Sequence, residues 1–214
     1  MKQIFGILLF IITFVSCRFV TNSEQATPKK GEDFSIEAMI QNYEDNADGI
    51  MEVLDYASKA INDYCGLQLV IDEYGISMFY IYNFMWMGTD GPKQTDLDKL
   101  MPLVELTNDE LEAIIEKLKN VNCLSVEFQK SKTGIAGYAK VLYWENKKDS
   151  YYYHIFYDQR SRTAIEESSE DMERFLPYNN TLFLEYNPKS KFAHRAIFPN
   201  KEQYLKELNL PKAK

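Results

Sequence analysis

"GYAKVLYWENKKDSYYYHIFYD", residues 137–158, is the stretch on which the reading of the whole chain turns. Two runs rich in Tyr, Val, Ile, Phe and Trp alternate with a period of two and are separated by the polar stretch Asn146–Ser150. β-Branched and aromatic residues suit a pleated, half-buried surface and a short polar break reverses the chain, so the stretch predicts an antiparallel hairpin. Successive strand side chains point to opposite faces, which places Tyr151, Tyr153, Ile155 and Tyr157 on one face and Tyr152, His154, Phe156 and Asp158 on the other.

Working outward, "TLFLEY" (181–186) and "KFAHRAIF" (191–198) flank "NPKS" and predict a second hairpin. "CLSVEFQK" (123–130) sets Leu124, Val126 and Phe128 against Ser125, Glu127 and Gln129, the alternation of a half-buried strand. Upstream, "LQLVIDEYGISMFYIYNFMWMG" (67–88) allows two readings. Leu67–Ile71 can pair with Ile76 onward through a turn at "DEYG", or a helix can run past Gly66 and end at Gly75; the hairpin fits slightly better. In both, Ile76–Met87 is one strand, apolar on both faces, and "GTDGPKQTD" (88–96) is a loop.

The helical signals lie between. Thr107 with Glu110 three residues on forms a capping box for a helix that turns Leu111, Ile114, Ile115, Leu118 and Val121 inward. Ile50, Val53, Leu54, Ala57, Ile61 and Tyr64 make an apolar stripe, read as a helix started by Asn46 or Asp48 and stopped at Gly66, with a separate short helix over 34–43. A short helix over "EDMERFL" (170–176), capped by Ser168 or Ser169 and stopped at Pro177, and a last helix after Asn200 complete the set. The expected fold is α+β: an antiparallel, meander-like sheet of about five to seven strands with helices packed on one face, forming one domain over residues 33–214.

The N-terminus carries a different signal. After Lys2 an apolar run extends from Ile4 to Val15, twelve residues, and ends at Ser16-Cys17. As a helix it would rise about 18 Å, well short of a bilayer core of about 30 Å, so it reads as a secretory leader rather than a span. Phe14-Val15-Ser16-Cys17 resembles the lipobox of bacterial lipoproteins, with Phe14 where Leu is commonest. The resemblance covers residues 1–17 and implies that 1–16 are a signal peptide, that Cys17 is lipidated and that the protein is anchored in the bacterial cell envelope, on an outer-membrane or periplasm-facing surface. One acyl chain binds a membrane only marginally, so the multiple acylation that the resemblance implies is physically necessary. Residues 17–32 then read as lipidated cysteine and tether, polar after Val20 and lacking an apolar period.

Charge narrows the partners. Without residues 1–16 the chain holds 23 basic and 32 acidic residues, a net −9, so phosphate backbones and anionic headgroups are disfavoured and no nucleic acid is expected. Residues 32–63 sum to −8 and residues 187–214 to +5, which reads more simply as solvated faces pairing within the fold than as a docking surface. Cys65 and Cys123 are read as buried thiols, a bridge between them being left open.

No motif assigns chemistry. The chain lacks HExxH, CxxC, a nucleophile elbow and a phosphate loop, so neither cofactor nor metal is expected. The acids of "EESSEDME" (166–173) lack the order of a calcium loop. His154 and His194 both fall on expected strands, where Asp158 or Glu185 could orient one as a base. The tyrosine row suits stacking on a sugar or peptide but equally suits ordinary cross-strand packing with Tyr138, Lys140 and Trp144. The expectation is a non-enzymatic, lipid-anchored module that binds an envelope protein, glycan or peptide, with Tyr151, Tyr153 and His154 as contact residues and Trp86 and Trp144 behind them. Two alternatives stand beside it: a small envelope hydrolase using His154 or His194, and an inhibitor or immunity-type protein with an acidic face over 32–63.

Overall fold

Ser35 opens the first helix, α1 (Ile36–Lys59), by accepting the Ala38 N–H with its hydroxyl at 3.2 Å. The helix runs straight through the Asn46–Gly49 region, where a break and a new cap were expected. Asn46 does not cap; it donates back one turn to the Asn42 carbonyl at 3.0 Å, a bond that an uninterrupted helix provides. Gly49 has a packing role instead, since a Cβ there would stand 2.7 Å from Cγ1 of Val121. A glycine in mid-helix costs about 1 kcal/mol against alanine, and here it lets the neighbouring chain approach closely. The computed structural model describes residues 34–83, 85–168, 172–189 and 197–210; the expected signal peptide, Cys17, the tether, most of "KFAHRAIF" and His194 lie outside them.

After α1 come β1 (Gly66–Asp72), β2 (Gly75–Asn83), β3 (Met85–Asp90), α2 (Gln94–Leu100), a 3-10 turn (Met101–Val104), α3 (Asn108–Asn120), β4 (Ser125–Ser131), β5 (Gly134–Glu145), β6 (Asp149–Phe156), α4 (Gln159–Glu167), β7 (Phe175–Pro177), β8 (Leu182–Pro188) and α5 (Lys201–Glu207). The strands form one antiparallel sheet in the order β3-β2-β1-β4-β5-β6-β8-β7. The α+β expectation holds, with eight strands rather than five to seven. One extra strand arises because Ile76–Met87 does not stay straight: β2 and β3 pair with each other, Asn83 opposite Met85, and β3 takes up residues 88–90 that read as loop. Another is β7, where Phe175, Leu176 and Pro177 pair with β8 instead of ending a helix; residues 169–171 of that expected helix lie outside the described residues.

The "DEYG" hairpin forms as the slightly preferred reading had it. Asp72 Oδ1 accepts the Tyr74 N–H at 2.8 Å, and Gly75 takes φ 126°, which side chains resist. The capping box at Thr107 is present in both directions. Cys65 and Cys123 are both buried free thiols.

The faces of the sheet differ. Leu67, Leu69, Phe79, Ile81, Val126, Val141, Tyr153 and Leu184 point to the side covered by α1 and α3 and join their apolar stripes in the main core. Full burial of such side chains contributes about 1.5–3 kcal/mol each, which fixes these helices to that side. The reverse side is not bare at the β5–β8 end: Ile165 of α4 packs on Phe156, Phe175, Phe183 and Met172 in a second, smaller cluster. Helices therefore lie on both faces, where one was expected. The reason is visible in β6, whose Phe156 needs cover as much as its Tyr153 does.

Candidate functional site

The hairpin register sets the chemistry. Tyr138, Lys140 and Leu142 stand opposite Phe156, His154 and Tyr152, all on the reverse side, and β8 continues the rows with Phe183 opposite His154 and Glu185 opposite Tyr152. A bulge between Leu142 and Trp144 then shifts the parity, so Trp144 pairs with Tyr151 and turns to the helix-covered side.

On that covered side the tyrosines are core residues. Tyr153 is fully buried; its hydroxyl donates to the Met39 carbonyl at 2.7 Å and accepts from Asn42 Nδ2 at 3.1 Å, tying β6 to α1. Tyr151, also buried, stacks on Phe34 with ring centroids 3.5 Å apart, and Trp144 is half-buried beside both rings. Burial pushes both tyrosine hydroxyls far above their usual range. Tyr151 and Tyr153 thus offer no ring to a partner, which corrects the reading of them as contact residues: covering α1 requires them. Trp86 lies on β3 opposite Tyr82, with its side chain outside the described residues.

The reverse side holds a charged cluster. Glu185 is 1% exposed, and its carboxylate lies 3.2 Å from Lys140 Nζ, 3.0 Å from His154 Nδ1 and 4.0 Å from Arg174 Nε. Burial alone would raise its pKa, but Lys140, His154 and Arg174 together hold it at about 2. An ionised carboxylate can only accept, so Nδ1 of His154 carries the proton and donates. Burial keeps His154 below its usual pKa against the pull of Glu185, leaving a neutral ring whose Nε2 is buried and has no hydrogen-bond partner among the described residues. His154 is 3% exposed, so it too is not a surface contact residue. Of the sequence candidates, His154 and Glu185 are brought together; Asp158 is not their partner, being the cap of α4 that accepts from the Ser161 N–H at 2.7 Å.

Beside this cluster a groove of about 770 Å³ runs between the start of α4 and strands β4 and β5. Its floor is Glu127, Gln129 and Tyr138, and its wall Asp158, Arg160 and Ser161. Tyr138 is 42% exposed, and one face of its ring stacks on His154 at 4.3 Å and 29°. The same ring lines the groove. Gly137 shapes the corner: its φ is +73°, and a Cβ would meet Ser161 Oγ at 2.8 Å, so a side chain there would strain the backbone and displace the Ser161 hydroxyl.

Sequence reasoning missed the groove because α4 has only Ala164 and Ile165 as apolar residues and buries none of its residues; Asp158 as a cap before "QRSRTAIEE" was the available signal. Among the described residues, acids of the 32–63 stretch pair with Lys59 (Asp55), Lys117 (Glu52), Lys130 (Asp63) and the Tyr178 hydroxyl (Glu44), while Lys191, Arg195, Lys212 and Lys214 of the basic C-terminal stretch lie outside the described residues. No group of three or more His, Cys, Asp or Glu side chains placed to hold a metal ion occurs among the described residues.

Compared with family models, curated proteins and solved structures, the chain matches none.

Proposed function

We propose that the protein is a lipid-anchored envelope module, held at the membrane through Cys17, that binds its ligand in the groove between α4 and β4–β5. The observation that carries this reading is the open groove of about 770 Å³ with a pinned, exposed aromatic ring at its floor. Clefts of roughly 300–1,000 Å³ lined by an apolar surface and a few placed polar groups are the usual form of a ligand site. Anchoring suits such a role, because tethering raises the effective concentration of a domain near a membrane-bound partner.

The test is site-specific photocrosslinking in the cells that make the protein. A benzophenone side chain at Tyr138 or Arg160 should capture the same envelope component, while one at Tyr74, 88% exposed at the tip of the β1–β2 turn, should capture none. Equal capture at all three positions, or none at 138 and 160, sinks the reading. Cys17→Ala should release the protein from membranes; a variant still bound there defeats the anchor.

A second reading, a small envelope hydrolase, has the His154–Glu185 contact in its favour, since a carboxylate-oriented imidazole is the form of a general base. Against it, Nε2 of His154 is buried and reaches no hydroxyl or thiol among the described residues. Hydrolysis that persists in the folded His154→Gln variant would dispose of His154 as the base.

A further inference from the structure

We infer that the ligand of the groove is a neutral pyranose sugar, stacked on the outer face of Tyr138. This rests on the binding reading above and deepens it.

The platform comes first. A tyrosine ring held on one side is a rigid surface that loses little entropy on binding, and His154 supplies that support at 4.3 Å. His154 is itself fixed by its bond to Glu185, and Glu185 by Lys140, so a chain of buried contacts ends at the exposed ring. The π-face carries partial negative charge, and the axial C–H groups of a pyranose present partial positive charge to it.

The rim fits hydroxyls. Gln129 can donate and accept, Glu127 and the Ser161 hydroxyl, whose proton goes to Asp158, accept, and Arg160 donates, so a ligand whose every hydroxyl does both finds partners around the ring. Asp158 contributes less directly, since Ser161 occupies its carboxylate from both the N–H at 2.7 Å and the hydroxyl at 3.2 Å. The lining carries Glu127 and Asp158 against Arg160, a net −1, and Lys140 behind them is paired with Glu185. An anionic ligand would find no matching excess, and a cation would find a single one, on a wall whose Asp158 is already engaged by Ser161.

The sheet argues against an extended peptide. Such ligands add a strand to an open edge, whereas β4 is paired on both sides by β1 and β5, and β5 on both sides by β4 and β6. The groove therefore presents side chains rather than a free ladder of backbone groups. Its volume suits one or two sugar rings.

The experiment uses the full processed chain in detergent micelles, titrated with four neutral tetrasaccharides: cellotetraose, maltotetraose, mannotetraose and chitotetraose. Ligand-observed NMR and calorimetry should detect at least one. Tyr138→Ala should weaken that binding about tenfold, the size expected for a lost aromatic stack, and Tyr138→Trp should keep it. Tyr138→Ala should keep a single cooperative urea transition, well folded in the titration buffer despite losing the stack on His154, so that loss of binding is not loss of fold. If none of the four binds, or if binding ignores Tyr138→Ala, the inference is overturned. Capture of a protein by crosslinking at 138, with no sugar bound, leaves the binding reading standing and removes only the glycan; failure of both removes both.

Discussion

Strand β6 sends Tyr151, Tyr153 and Ile155 to one side of the sheet and Tyr152, His154 and Phe156 to the other, and the two sides manage burial by different means. Under α1 a polar atom is admitted only with a fixed partner: the Tyr153 hydroxyl bridges the Met39 carbonyl and Asn42 inside an apolar core. Under the reverse side a full carboxylate is buried, and three cationic or hydrogen-bonding side chains converge on it. The first arrangement locks a helix to a sheet. The second stiffens a patch next to open space, which is where a binding surface needs support.

The largest effect should come from breaking the second arrangement. Glu185→Ala leaves Lys140 buried without its counter-charge and should cost about 3–5 kcal/mol by urea denaturation. A cost below about 1 kcal/mol would mean that water reaches the cluster and that the contrast between the sides is overstated.

Acid and alkali should separate the sides. Glu185 has its folded pKa depressed to about 2, so its contribution is present above its unfolded value near 4.5 and is lost as pH falls toward 2. That window carries on the order of 3 kcal/mol. The lowered pKa of His154 acts in the same direction, since the unfolded ring protonates first as pH drops below about 6.5. Tyr153 is the opposite case: its raised pKa makes stability fall as pH climbs above about 10. Glu185→Gln should make the acid limb shallower and Tyr153→Phe the alkaline one, where the raised pKa of Tyr151 still contributes, each leaving the other limb unchanged. Exchange of the two outcomes would contradict the assignment.

Smaller effects sharpen the picture. Gly137→Ala should cost about 1–3 kcal/mol, because φ +73° and the 2.8 Å approach to Ser161 Oγ both oppose a side chain, and it should narrow the groove. Tyr153→Phe at neutral pH should cost about 1 kcal/mol, the two hydrogen bonds being lost while the ring stays packed. Ligand binding should survive Tyr153→Phe and suffer in Gly137→Ala.

Much of the fold was legible. The β5–β6 hairpin, the Thr107 capping box and the Asp72–Gly75 turn each depend on residues within a few positions of one another, and each formed. Where reading failed, a distant partner intervened. Asn46 and Asp48 look like a helix start, yet α1 runs through them and packs its Gly49 against Val121. Phe175–Pro177 looks like a helix end until β8 is seen to pair with it.

For the site, sequence alone determined that residues 151–156 have two faces and that the strand carrying Tyr138, Lys140 and Trp144 pairs with them, because side-chain alternation and a short hairpin are local properties of the chain. It also supplied the N-terminal pattern that motivates an anchor at Cys17. Only the tertiary structure decided which face α1 covers, and so that Tyr151 and Tyr153 are core while Tyr138 remains exposed. It alone brought Glu185 to His154 across 31 residues, and Asn42 to Tyr153 across 111. The physical reason is that a period of two marks both faces of a strand alike; which face lies under a helix depends on the burial of apolar area summed over the whole sheet.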